Sequence, residues 1–303
     1  MRVLVSGLVN IETTLQIDAF PLEYEPVRYP FWGIQSTVAG VGINVSLALH
    51  TLGMDVCFCT ILGTDVYGAM ALEWLQGQGF SSEFCVRSIS QTAQSVIIYD
   101  KTGRRQIHVD LKDVQEQRYP EEIFKVALGK TNIAVLCNIN FNRHLLPLAK
   151  QRGVLICTDV HTLSDPHDEY NRDFMAAADI FFLSDEKLWT SAEQAAQELM
   201  QLYSPRIIVI GQGERGAMLL EQNGQSIHFP AIKTRPVVST IGAGDALFAS
   251  FLNFYVKGFS AQEALKRAMV FASWKIGSRG AAQGFLNARE FEQVYSQVEG
   301  TAK

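Results

Sequence analysis

Gly242-Ala243-Gly244-Asp245 lies inside VVSTIGAGDALFASF (237–251), between a β-branched, strand-like entry and an apolar run with helical spacing. Small residues at a helix start leave backbone N–H groups bare. With the helix dipole they make a site for a phosphate or another anion. A carboxylate in that positive corner is expected to stay ionised and to serve as a base. An anion cradle beside a base points to phosphoryl transfer; the plainer alternative is a tight strand-to-helix turn with Asp245 in its first turn.

Other stretches carry polar groups suited to a ligand. AGVGIN (39–44) puts Gly40 and Gly42 ahead of Asn44 at a second helix start. Glycine permits close backbone approach, and an Asn amide both donates and accepts, as sugar hydroxyls require. A packed helix start would look the same. Asn10 and Glu12 follow the first strand and Asp159 ends another, LICTDV, where open α/β sheets place their ligand crevice. GQGERG (211–216) has GxGxxG spacing after the strand RIIVI, but AMLLEQNGQSIHF after it reads as strand, turn and strand. A dinucleotide site needs a helix there, so that reading is set aside. His108, His161 and His167 have no metal-ligand spacing and read as surface or capping residues. Arg104 and Arg105 flank a turn as solvated charges, with reach to an anionic substrate group as the alternative.

These residues need a scaffold, and the chain has length for one. It has 303 residues, 48% hydrophobic and 19% charged, enough for a sizeable α/β core. The formal charge of -5 gives no electrostatic case for nucleic acid or an anionic membrane. Five cysteines, an odd number without CxxC spacing, fall mostly in apolar runs, which points to a reducing compartment. MRVLVSGLV goes straight into a strand without a long apolar leader, and no run approaches the roughly 18 apolar residues of a span, so a cytoplasmic protein is expected.

Along the chain, residues 10–36 read as short half-exposed strands with an aromatic cluster, Tyr29, Phe31 and Trp32. A helix over 39–53, the strand DVCFCTILG and a second helix follow. QSVIIYDKTGRRQIHVDL reads as a hairpin about Lys101-Thr102-Gly103. From about 120 strands and helices alternate, with helices near 142–152, 168–178 and 191–203, predicting a parallel sheet covered on both faces. Asn223-Gly224 reads as a further hairpin turn, and helices are expected near 245–257, 260–277 and 287–298. The arrangement is one α/β domain over 1–303 with a small β flap from segments near 11–36 and 90–112.

Taken together and in this order, the motifs resemble the ribokinase-like (PfkB) carbohydrate kinases over nearly the whole chain. TIGAGD (240–245) is close to the family's D-T-x-G-A-G-D signature and AGVGIN to its G-G-x-G-x-N element. ILGTDVYG (61–68), GERG (213–216) and SRGAA (278–282) match its G-x-D-x-x-G segment, its nucleotide-side turn and its last loop. The resemblance implies a three-layer α/β/α fold with a mostly parallel sheet and a β-sheet lid that closes to exclude water. It implies an ATP- and Mg2+-dependent kinase acting on a hydroxymethyl group. Asp245 would be the general base, and the N–H groups of Gly242, Ala243 and Gly244 the anion hole. Asn10, Glu12, Gly40, Gly42 and Asn44 would hold the acceptor; Gly213, Gly216, Met269, Ala272 and Gly280 would line the nucleotide pocket.

The chain also departs from the family pattern. Ser239 stands where the signature usually carries Asp, so the monovalent-cation site this segment often supports is doubtful. In FLSDEKL (182–188), Ser184 takes the Asn position of N-x-x-E beside the nucleotide phosphates and Lys187 the Glu position. Asp185 or Glu186 would then hold magnesium, through water. Glu12 replaces the usual Asp, and Val41 a frequent Lys, which leaves the acceptor open. It is a sugar or sugar acid, or a nucleoside stacked on Tyr29, Phe31 and Trp32, those aromatics otherwise being packing residues. A non-catalytic sugar-binding protein is the reading outside enzymes. The edges of an exposed flap suggest a homodimer through the lid.

Overall fold

Strand β1 (Arg2–Ser6) runs through the middle of the molecule, with four of its five residues buried. It pairs in parallel with β4 (Asp55–Gly63) on one side and β8 (Ile133–Leu136) on the other. The computed structural model describes residues 1–301 apart from Lys130 and Asn223; the expected turn at Asn223-Gly224 therefore lies partly outside the described residues. Beyond β8 the parallel sheet continues through β9 (Leu155–Thr162), β10 (Ile180–Ser184) and β11 (Ile207–Gly211). Two antiparallel strands, β12 (Ala217–Glu221) and β13 (Ile227–Phe229), finish that edge, and β5 (Cys85–Ile89) finishes the other. The described residues thus form a nine-stranded sheet.

Strand alternation sorts the core into two layers. Val3, Val5, Ile180, Phe182, Ile207 and Val209 point into one cluster. There they meet α1 (Val41–Thr51), α7 (Ala243–Val256), α8 (Ala261–Lys275) and α9 (Ala288–Thr301). Their neighbours Leu4, Phe181, Ile208 and Ile210 point the other way, toward α3 (Glu121–Leu128), α4 (Leu146–Arg152) and α6 (Ala192–Tyr203). This is the expected three-layer α/β/α architecture.

The flap is a separate sheet of β2 (Asn10–Gln16), β3 (Ile34–Ala39), β6 (Gln94–Tyr99) and β7 (Arg105–Asp110), in the order β3-β2-β6-β7. The hairpin between β6 and β7 is where the sequence predicts it, its turn held by Asp100, which accepts from Thr102 and Arg104 N–H. Residues 17–33 are not strand, contrary to expectation. The aromatic cluster there is solvent-exposed, with the Tyr29 and Phe31 rings stacked at 6.5 Å between centroids. Tyr29, Phe31 and Trp32 are 77%, 86% and 93% exposed. They precede β3, and Gly33 beside them accepts from Gln16 N–H.

Two helices differ from the periodicity. The one expected at 142–152 begins as a 3-10 turn (Asn140–Leu145), and α4 starts at Leu146, where Pro147 fits the first turn. That expected at 168–178 shrinks to α5 (Arg172–Ala177), because Asp168 caps the chain ahead of it by accepting from Asn171 N–H.

Candidate active site

Leu8 carries the chain from the central sheet into the flap, and the residues either side of this crossing meet the starts of α1 and α7. Asn10, Glu12, Asn44 and Asp245 are all under 9% exposed. Asn44 Nδ2 donates to Asp245 Oδ2 at 2.7 Å, across 201 residues of sequence. Asn10 Nδ2 donates to Ser95 Oγ at 2.7 Å, on the neighbouring strand β6. Among the described residues nothing donates to Asn10 Oδ1, Glu12 Oε1 or Asn44 Oδ1, although all three are buried. Buried acceptors without donors are costly, so three beside one carboxylate mark a place built for a ligand rich in O–H groups.

Gly40 caps α1 at φ 113°, and a Cβ there would lie 2.6 Å from Leu8 O and 3.0 Å from Asn10 Oδ1. It therefore lets Asn10 sit against the helix start. Gly42, expected beside the acceptor, is glycine for another reason. A Cβ on it would come within 2.5 Å of the Gly7 backbone, so it lets α1 pack on the end of β1.

At the second helix start, Gly242 caps α7 with φ 75°, and a Cβ would meet Ala281 O at 2.7 Å. The left-handed cap starts α7 at Ala243, two residues before expectation. The Ala243 N–H bends back to Thr240 O at 3.2 Å, so this member of the expected anion hole is partly engaged. Among the described residues no acceptor takes the N–H of Gly242, Gly244 or Asp245, which leaves a cradle open at the helix N-terminus. Asp245 is not simply ionised by its corner. Burial raises its carboxyl above the ordinary value, against the Asn44 bond and the positive charge of His161 and Lys275. Burial, with Asp245 nearby, also pushes the Glu12 carboxyl up to about 7, and Lys275 opposes this. Such carboxyls suit proton transfer near neutral pH. Asp159 reaches the same place, its Oδ2 3.9 Å from where a Cβ on Gly244 would be.

The nucleotide-side candidates lie along the ends of β10 to β12 and on α8. Gly213 opens a 3-10 turn, not a helix, in line with the rejection of a dinucleotide fold. Gly216 has φ 108°, and any Cβ there would collide with Phe229 O at 1.9 Å. Met269 and Ala272 share α8; Met269 is buried and Ala272 partly so. Gly280 packs on Gln283. Ser184 Oγ accepts from Glu186 N–H at 3.3 Å, which turns its hydroxyl into a cap. Asp185 is paired with Arg215, and Glu186 lies 3.7 Å from Arg105. The described residues hold no group of three or more His, Cys, Asp or Glu placed to bind a metal. Magnesium bound with nucleotide phosphates keeps most of its waters and needs only one or two carboxylates. Asp185 and Glu186 each face an arginine, and Glu186, the looser of the two pairs, is the freer carboxylate for that demand.

Sequence reasoning missed Lys275, which is fully buried beneath the cradle with its Nζ donating to Ile241 O. Its position at a helix C-terminus reads as an ordinary dipole partner, and no local signal says otherwise. It also undervalued Arg105, which reaches from the flap to Thr240 Oγ1. A pair of hydroxyl-seeking amides, a base and an anion cradle within one enclosure can transfer a phosphoryl group to an alcohol.

The family model for pfkB family carbohydrate kinases matches residues 2–288. The chain belongs to this family and is an ATP-dependent sugar kinase. It is 23% identical to the deoxyribokinase of Salmonella typhi over 99% of this chain and 100% of that one. It is 24% identical to the acarbose 7(IV)-phosphotransferase of an Actinoplanes species over 90% and 91%. A solved microbiome-derived acarbose kinase has the same fold, at a TM-score of 0.88 and 22% identity over 97% of this chain and 98% of that one. No helix among the described residues is long and apolar enough to cross a membrane.

Proposed function

We propose that this kinase transfers the γ-phosphoryl group of ATP to a hydroxymethyl group of a sugar or sugar acid. The observation that carries the reading is the set of three donorless acceptors, Asn10 Oδ1, Glu12 Oε1 and Asn44 Oδ1, around the carboxylate of Asp245. A polyol supplies the missing donors, and one of its hydroxyls then lies at the base. Asp245 takes that hydroxyl's proton. The oxygen bonds to the γ-phosphorus while the bond to the bridging oxygen of ADP breaks, and ADP leaves. The N–H groups of Gly242 and Gly244 face the transferring oxygens, with Ala243 contributing as its turn loosens; such donors gain most where charge develops. Gly213, Gly216, Met269, Ala272 and Gly280 line the nucleotide side, and Ser184 sits at its phosphate end. Magnesium, held at Glu186, would neutralise phosphate charge when bound.

The reading is tested by ADP release with ATP and magnesium on a panel of pentoses, hexoses, sugar acids and nucleosides. Turnover on a sugar or sugar acid supports it, and turnover on nucleosides alone replaces the acceptor class. Binding without turnover on any of them would reduce the protein to a sugar-binding module. Asp245→Asn should bind acceptor normally and lose about 10²–10⁴-fold in kcat; a near-normal rate removes the base. We also propose a homodimer through the lid. The flap and the segment ahead of β3 expose Leu22, Tyr24, Val27, Ile34 and Val96, together with the aromatic cluster, and exposed apolar side chains in one region favour association.

A further inference from the structure

Lys275 ends α8, where a lysine is ordinarily a solvated partner of the helix dipole. This one is 0% exposed. Its Nζ donates to the carbonyl of Ile241, the residue before the cradle. The charged groups facing it come from three elements, Asp245 on α7, Glu12 on β2 and Arg105 on β7. Removing an ammonium from water is costly, and an apolar side chain of the same length would pack as well. A reason for its charge is therefore to be sought in what it touches.

The carbonyl of Ile241 and the N–H of Gly242 belong to one peptide plane and point in opposite directions across it. An ammonium that fixes the carbonyl on one side thereby aims the Gly242 N–H on the other, toward the cradle. It also polarises that N–H, since hydrogen bonds in series strengthen one another. The rest of the turn supplies no charge of its own. Ser239 is a neutral hydroxyl, and it accepts from Ile241 N–H at 3.3 Å. The turn thus holds no carboxylate that would bring in a metal cation.

We infer that Lys275 is a positioning residue for phosphoryl transfer: its ammonium orients the Ile241–Gly242 peptide and holds a fixed positive charge beneath the cradle, so that the reaction takes no monovalent cation from solution. The inference rests on the cradle reading above and adds to it the source of its charge. Burial lowers the amine to about 8, against the pull of Asp245 and Glu12 and with Arg105 lowering it further. The ammonium is therefore present below that pH and is lost as pH rises through it. Glu12, whose carboxyl is pushed up to about 7, contributes the opposite limb.

The test uses the full chain with MgATP alone and, separately, with the acceptor found on the panel, in potassium chloride and in tetramethylammonium chloride. Wild-type affinity and kcat should agree within about twofold between the two salts, and kcat should fall above about pH 8. Lys275→Met, checked for folding by its melting curve, should bind MgATP about tenfold more weakly and lose about 10²-fold in kcat, with acceptor KM little changed. Its alkaline limb should vanish. In Lys275→Ala, ammonium or potassium chloride should restore at least about tenfold, by filling the space the amine left. Wild-type stimulation by potassium of tenfold or more, or a folded Met variant with wild-type affinity and kcat, overturns the inference. Should the Met variant fail to fold, the wild-type salt comparison and pH profile decide. The MgATP arm needs no acceptor, so its outcome is separate from failure of the panel or of Asp245→Asn.

Discussion

At the scale of single residues, two buried carboxyls stand in the candidate site, and their surroundings differ. Asp245 shares a hydrogen bond with Asn44 and faces the cradle, whereas Glu12 has an oxygen with no donor and a carboxyl raised to about 7. Because an ionised Glu12 accepts from a hydroxyl more strongly than the neutral acid, kcat/KM for the acceptor should fall as pH drops through about 7. The slope should approach about tenfold per unit. Glu12→Gln should raise acceptor KM about tenfold, leave the KM for ATP alone, and abolish or displace that limb. A pH–rate series on both proteins checks this; an unmoved limb assigns the titration elsewhere. The identities of these residues are visible in the sequence. Their raised affinity for protons is not, because it comes from burial that distant segments create.

Elements matter through the points where their backbones must come close. Gly242 is the clearest, since its left-handed cap both starts α7 and lies against Ala281. Gly242→Ala should cost at least about 1–2 kcal/mol from conformation alone, read from a denaturant midpoint. It should cost disproportionately more in kcat, because the cradle N–H groups turn with the cap. A stable variant of full activity would show that the cap is incidental. The lid obeys strand parity. The pairings Glu12–Ser95, Ser95–Val109, Ile97–Ile107 and Tyr99–Arg105 put these residues on one face, the face whose Arg105 touches Thr240. Ile107 and Val109 are 49% and 52% exposed there, a partly apolar ceiling over the proposed acceptor site. Asp65 anchors that lid from below by capping α2 (Val66–Gly77) and accepting from Thr92 just ahead of β6. The G-x-D-x-x-G segment is thus a support, a role its spacing does not announce.

Across the whole molecule, the central sheet is shielded on both faces while the lid is not. Its outer surface and the aromatic segment before β3 leave Trp32 93% and Tyr24 91% exposed. A second lid is the partner that covers an identical surface without a new complement, as two-fold contacts do. Light scattering should give twice the chain mass, and Trp32→Asp with Phe31→Asp should give a monomer with its catalytic residues intact. A wild-type monomer at micromolar concentration removes the proposal.

The alternation of strands and helices beyond the flap, the helix start at GAGD, and the absence of a dinucleotide helix after GQGERG were determined by the sequence alone. Each rests on local physics: side-chain period, glycine at a helix start, and turn chemistry. Local order is also why the hairpin at 101–103 is legible. The tertiary structure alone decided that Asn44 reaches Asp245 across 201 residues and that Asp185 is taken by Arg215. It alone showed that Gly42 lets α1 pack on the end of β1 and that the aromatic cluster is exposed. It alone turned Lys275 from a helix-end charge into a buried ammonium under the cradle. Burial and partnership depend on what other segments bring to a point, and no local pattern in the chain encodes that.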